Sequence, residues 1–293
     1  WLIKRRSATF KQTVIVMNIG SIMDMAWEKE LLTNDSAILI PYQGGMESGN
    51  AIANVLFGIE EPSGRLTDTI ATSYDAYPCA DYFGKKEYNN FYEDIYVGYR
   101  YFETFAKNKV LYPFGFGLGY TTFNRTLAEC KNENNTVSLK IKTSNIGNLT
   151  GKDVIQVYAE APQGNLGKPS RVLCGFSKTP ELKPGECYES TIEIPYYSFA
   201  SFDDSGATGY KNAYVLENGE YHFYVGGNVR DAEKAFSFIL DDALVLQQLT
   251  EVCAPVEKFE ILSKNGCPKD VVVSTQNLRK DILDNLPADY GYT

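Results

Sequence analysis

The hydrophobic pattern changes its period once along this chain, near residue 123, and that change limits the available folds more than any other feature. Before it, short apolar runs alternate with glycine turns and helical patterns. A strand is expected at Thr13–Ile19, followed by Gly20. A short helical pattern around Trp27–Leu32 leads to a second apolar run at Ser36–Ile40. After Gly44-Gly45, Glu47–Phe57 reads as a helix, with Ile52, Val55 and Leu56 at i, i+3 and i+4. Gly58 is placed to end it, and Pro62 lies beyond. Strand, turn and helix in alternation predict a parallel or mostly parallel sheet with helices packed on it.

Beyond residue 123 the period is two. Thr136–Asn145 puts Val137, Leu139, Ile141 and Thr143 on one face and Ser138, Lys140, Lys142 and Ser144 on the other. Asp153–Tyr158 is more continuously apolar, which suits a strand covered on both faces. Further strands are expected at Arg171–Phe176, Tyr188–Ile194, Glu220–Val225 and Ala235–Ile239, separated by Asn148–Gly151, Pro184-Gly185, Asn218-Gly219 and Gly226-Gly227. About seven short strands at this spacing predict a sandwich of immunoglobulin or fibronectin type. Asp242–Val252 reads as a helix through Leu244, Leu246, Leu249 and Val252, and the remainder as a connector. The expected organisation is therefore α/β over 1–123, all-β over 124–240 and a tail over 241–293.

Composition narrows the function classes. The chain has 293 residues, enough for two domains with their own cores, and 44% of them are hydrophobic. Net charge is −9 with no basic stripe, which argues against a nucleic-acid partner. No apolar run approaches the roughly 18 residues of a membrane span. The six cysteines (Cys79, Cys130, Cys174, Cys187, Cys253, Cys267) form no CxxC pair, and His222 is the single histidine. No metal site, and no cofactor site of any kind, is expected from them. Scattered cysteines without a leader peptide favour a reducing, cytoplasmic location. The 21 tyrosines have two readings: rings that stack on sugars, or the ordinary preference of strands for aromatics.

Four motifs carry a resemblance. Tyr42-Gln43-Gly44-Gly45-Met46-Glu47 through Leu56-Phe57-Gly58 is the first. Glu61-Pro62-Ser63-Gly64-Arg65-Leu66-Thr67-Asp68-Thr69 is the second. Glu93-Asp94-Ile95-Tyr96-Val97-Gly98-Tyr99-Arg100-Tyr101-Phe102 and Pro113-Phe114-Gly115-Phe116-Gly117-Leu118-Gly119-Tyr120-Thr121-Thr122-Phe123 are the third and fourth. In this order they resemble glycoside hydrolase family 3, with Gly119 where serine is usual. The segment from Asn145-Ile146-Gly147 to Gly226 is similar to the fibronectin type III-like domain that often follows the family's α/β-sandwich domain.

The resemblance implies a retaining β-glucosidase, which needs two carboxylates about 5–5.5 Å apart. It places the nucleophile on a (β/α)8 barrel in an S-D-W-like motif and the acid/base glutamate upstream of the strand at Val14–Ile19. Neither position falls in this sequence, so no catalytic residue is assigned within it. The expected parent cleaves terminal β-D-glucosyl residues, with a β-xylosidase as the alternative, and the chain is expected to be inactive by itself. Its partners would be a β-glucoside or oligosaccharide substrate and a barrel supplied in cis or in trans. A permuted parent with the barrel after Thr293 fits the tail. A carbohydrate-binding or scaffold module without catalysis is the competing class. Physical readings attach to single residues: Glu47 as a first-turn carboxylate favoured by the helix dipole, Gly44 and Gly45 as turn glycines, His222 as a structural strand residue. Arg65 and Arg100 are expected to pin loops through carboxylates, with Glu93 and Asp94 as candidates.

Overall fold

The computed structural model describes residues 2–31, 36–85, 89–251 and 254–274. The first part runs α1 (Leu2–Thr9), β1 (Thr13–Val16), α2 (Glu28–Leu31), β2 (Ser36–Leu39), α3 (Ser48–Leu56), β3 (Ile70–Ala71), α4 (Tyr99–Phe105) and β4 (Val110–Tyr112). β1 and β2 pair in parallel, Thr13 opposite Ser36 and Val16 opposite Leu39. β3 and β4 pair antiparallel, Ile70 opposite Tyr112. Met17, Met25 and Ile70 form the centre of this region, with Ile15, Ile38, Leu66 and Leu111 packed on them. The other face of β1 carries Val14 and Val16, which are 52% and 39% exposed.

α3 starts and stops as its sequence dictates. Gly45 takes φ 76° in the turn before it, and Gly58 takes φ 70° after it. The Gly58 N–H donates to the Val55 carbonyl at 3.0 Å and the Ile59 N–H to the Asn54 carbonyl at 2.8 Å. These two bonds satisfy the last carbonyls of the helix, and only glycine takes such a φ without cost.

The second part is a sandwich built from more strands than the sequence pattern announces. Its strands are β5 (Phe123–Glu133), β6 (Thr136–Asn145), β7 (Val154–Glu160), β8 (Val172–Lys178), β9 (Cys187–Pro195), β10 (Ser201–Asp203), β11 (Ala213–Leu216), β12 (Gly219–Gly226), β13 (Glu233–Leu240) and β14 (Leu244–Gln248). They form sheets of order β13-β12-β7-β8, β5-β6-β9 and β10-β11-β14. Val137, Leu139, Ile141, Ile155, Val157, Ile194, Tyr221 and Phe223 make the shared core, each fully buried. β6 alternates as expected, and β7 is buried from Ile155 to Ala159 because a second layer lies on its outer face.

One expectation fails here. Among the described residues 242–251 there is no helix, Val252 lying outside them: Leu244–Gln248 is a strand, paired antiparallel with β11, Leu216 opposite Leu244. Leu244 and Leu246 pack against the sandwich core, so tertiary pairing overrides the helical spacing. A last hairpin, β15 (Glu260–Leu262) with β16 (Pro268–Asp270), turns back on the first part through Leu262 N–H to the Tyr92 carbonyl, 2.7 Å. Leu32 and the end of the tail, with Pro287 and Tyr290–Thr293, lie outside the described residues.

Candidate functional site at the strand ends and the domain junction

Ligands of open α/β sheets sit beyond the carboxyl ends of parallel strands. β1 and β2 lead there into the loops 17–27 and 40–47. Tyr42 holds a left-handed φ of 52° and the Gln43 amide packs against Gly20, 3.2 Å from where a β-carbon would stand. Met46 projects fully into solvent at the tip of the turn. Glu47 occupies the N-cap of α3 and its Oε2 accepts a bond from Asn50 Nδ2 at 2.6 Å. Glu47 thus stands one position before the first turn, not inside it as the sequence pattern predicts, and its side chain caps no backbone N–H. Asp24 closes the other loop, accepting the Ala26 N–H at 2.8 Å, while Trp27 Nε1 donates to its carbonyl at 3.1 Å.

The third motif folds into the tight turn before α4 and into α4 itself. Asp94 adopts φ 48°, a conformation that costs most residues of this kind free energy. Burial pushes its carboxyl above the usual range. Cys79 bonds to Glu93, and burial first, then that carboxylate, push its thiol up to about 11. At neutral pH this sulfur stays protonated and is a poor nucleophile. Gly98 takes φ 58° at the N-cap of α4.

α4 then presents three consecutive contacts to the sandwich. Tyr99 stacks on Phe114 with ring centroids 4.4 Å apart and meets Tyr158 edge-on at 6.2 Å. Its hydroxyl accepts the Leu173 N–H at 2.8 Å. Glu103, buried, pairs with Arg230 at 2.9 Å. Thr104 Oγ1 accepts the Ser170 N–H at 2.9 Å. The motif is thus the clamp that fixes one domain on the other.

Arg65 does not find its carboxylate at Glu93 or Asp94. It reaches Asp153 of the sandwich, at 3.3 Å, and Arg125 grips the same carboxylate at 2.6 and 2.7 Å. Asp153 is wholly buried. A side chain 88 positions away in sequence supplied what the neighbouring acids were expected to supply. Arg100 forms no ion pair among the described residues.

The glycines of the fourth motif line the same seam. A β-carbon on Gly115 would overlap the Gln156 amide, and one on Gly119 would overlap Glu61 Oε1. Gln156, buried on β7, donates to the Gly227 carbonyl at 2.5 Å and the Gly115 carbonyl at 3.3 Å. Glu61 accepts the Lys152 N–H at 3.3 Å, and burial raises its carboxyl pKa. Gly119 is therefore the space that Glu61 needs.

The chemistry-bearing residues are occupied with holding the scaffold. Glu47, Glu61, Glu93, Glu103 and Asp153 are engaged with Asn50, Lys152, Cys79, Arg230 and the two arginines. His222 lies on β12 between the buried Tyr221 and Phe223, with Nδ1 3.4 Å from Glu220. Cys79, Cys130, Cys174, Cys187 and Cys267 are free thiols. Sequence reasoning missed Asp153, Gln156, Glu103 and Arg230. The signal available for them was weak: an acid and an amide set into an otherwise apolar strand region.

An α/β unit clamped to a fibronectin-type sandwich through these motifs defines a class of module found in sugar hydrolases. Residues 1–120 match the glycosyl hydrolase family 3 C-terminal domain and residues 153–229 the fibronectin type III-like domain. The chain belongs to glycosyl hydrolase family 3. It is 42% identical to a β-glucosidase of Ruminococcus albus, over all of this chain and 31% of that protein. It is 39% identical to β-glucosidase A of Butyrivibrio fibrisolvens, over 87% of this chain and 33% of that one. A crystal structure of a β-glucosidase from Paenibacillus barengoltzii superposes with a TM-score of 0.90 at 38% identity, covering 100% of this chain and 34% of that one. The chain thus spans about a third of the length of the relatives it matches.

Proposed function

We propose that this chain is the accessory third of a retaining β-glucosidase, acting on terminal β-D-glucosyl residues. The supporting observation is the seam itself: all four family motifs are spent on building and joining two domains. Chemistry then falls to carboxylates elsewhere in the enzyme. One attacks the anomeric carbon as the aglycone departs with a proton from the other; water, deprotonated by that same group, then releases the sugar. A (β/α)8 barrel is the partner that carries the nucleophile. The half-covered face of β1, with Val14 and Val16 exposed, supports a role beside further protein, because parallel strands are normally covered on both faces. Five free thiols among the described residues support a reducing, cytoplasmic location.

Two assays test the reading. The purified chain should not hydrolyse an aryl β-D-glucoside. Joined to the remaining two thirds of the Ruminococcus relative, in place of the corresponding segment, it should restore hydrolysis. Turnover by the chain alone, or a well-folded but inactive chimaera, would overturn it.

A further inference from the structure

The sandwich carries an aromatic row that the domain seam does not use. Phe202 on β10 lies directly opposite Tyr214 on β11, and Tyr214 directly opposite Gln247 on β14. Strand alternation fixes which way they face: Ala213 and Val215, on either side of Tyr214, are wholly buried, so Tyr214 stands on the outer side. The Phe202 and Tyr214 ring centroids are 5.2 Å apart. Tyr197, from the turn before β10, adds a third ring 4.5 Å from Tyr214. Tyr197 is 50% exposed and Phe202 42% exposed.

The row is held rigidly from beneath. Tyr196 and Phe199, flanking Tyr197, are buried, and the Tyr196 hydroxyl donates to Asn132 Oδ1 at 2.8 Å. Asp203, next to Phe202, is buried and accepts backbone N–H bonds from Ser205, Gly206, Ala207 and Thr208. Rings fixed before binding lose little entropy on binding.

Charge separates this face from its neighbour. The outer side of the β5-β6-β9 sheet is a ladder of ion pairs, Glu129–Lys131 at 3.0 Å and Lys140–Glu189 at 2.7 Å. The aromatic row, in a chain of net charge −9, carries no charged side chain: three rings and one amide. Its complement is a neutral molecule with apolar faces and hydroxyl edges. From Phe202 to Gln247 is two strand spacings, about 10 Å, the length of a disaccharide.

We propose that Tyr197, Phe202, Tyr214 and Gln247 form a stacking platform for a neutral β-linked pyranose oligosaccharide. The C–H faces of the sugar lie on the rings, and the Gln247 amide takes a hydroxyl at the end of the row. The choice of sugar rests on the proposed glucosidase reading; the platform would hold substrate chains near the enzyme without taking part in cleavage.

Calorimetric titration of the whole chain with cellotetraose, xylotetraose and maltotetraose tests the platform without any turnover. Binding of a β-linked tetrasaccharide is expected. Tyr197→Ala and Phe202→Ala should each weaken it about five- to tenfold, while Phe57→Ala, an exposed ring elsewhere, leaves it unchanged. Thermal melts of each variant confirm folding. No heat with either β-linked sugar at about 10 mM, a concentration that registers even weak sites, overturns the proposal. So does affinity retained in a folded Tyr197→Ala/Phe202→Ala double variant, or tighter binding of maltotetraose. Failure of the chimaera to hydrolyse glucosides, with binding intact, would sink the glucosidase reading and leave the platform standing.

Discussion

The two domains treat their apolar residues differently. In the sandwich, Leu139, Ile155, Val157, Tyr221 and Phe223 have no exposed surface, and both inner sheet faces are used. In the α/β part, α3 contains no buried residue among those described, and Met46, Phe57 and Ile59 stand in solvent. β1 buries one face against Met17 and Ile70 and leaves Val14 half exposed. Burial is the main favourable term in folding. The sandwich thus buries its apolar residues within one shared core, whereas the α/β part divides fewer of them between two smaller clusters.

That contrast can be broken by substitution. Phe223→Ala should cost about 4 kcal/mol, read as a lowered urea midpoint, while Val14→Ala should change stability by less than about 0.5 kcal/mol. Equal effects would erase the contrast. Asp153→Ala should cost about 3 kcal/mol, because Arg65 and Arg125 lose a buried partner. If the α/β part leans on the seam, this variant should unfold in two steps, with α/β probes such as Trp27 fluorescence changing first. A single transition would show that the clamp on α4 suffices.

Gly119→Ala should cost about 2 kcal/mol by overpacking against Glu61, and Glu61→Ala in the same chain should recover most of it. Additive effects in a double-mutant cycle would show that the two residues do not share the space. The smallest effect is a pH dependence. Burial raises the folded-state pKa of Glu61, so the folded chain binds its proton more tightly than the unfolded chain. The contribution is favourable at acid pH and is lost as pH rises from the ordinary carboxylate value through the raised one. The wild type should therefore lose stability relative to Glu61→Gln over that interval in urea titrations. A constant difference would mean that Glu61 is effectively solvated.

The sequence made some of this legible and hid the rest for identifiable reasons. β6 was readable because one face is buried and one is wet. α3 was readable because its glycines are demanded by the backbone at each end. β5 was not, because a bulge between Leu127 and Glu129 breaks the alternation that begins with Phe123, Arg125 and Leu127. β14 was misread because Leu246, Leu249 and Val252 fit helical spacing as well as strand pairing fits Leu244 and Leu246. At the seam, the glycines were legible as motif letters, but their reason was not. That Gly119 makes room for Glu61, and that Asp153 serves Arg65, are facts about residues far apart in sequence. Local pattern carries no signal for such pairs.

One carboxylate shared by arginines from two domains also bears on how such enzymes can be rearranged by recombination. A gene segment encoding the sandwich, moved next to a new neighbour, would carry Asp153 and Arg125 but leave Arg65 behind. The transplanted module would keep the two-pronged Arg125–Asp153 pair, lose the third contact from Arg65, and carry a wet scar where Tyr99 and Glu103 had been. Shuffling should therefore favour exchanges that keep the two domains together as one heritable block, cut on either side of the pair rather than between them.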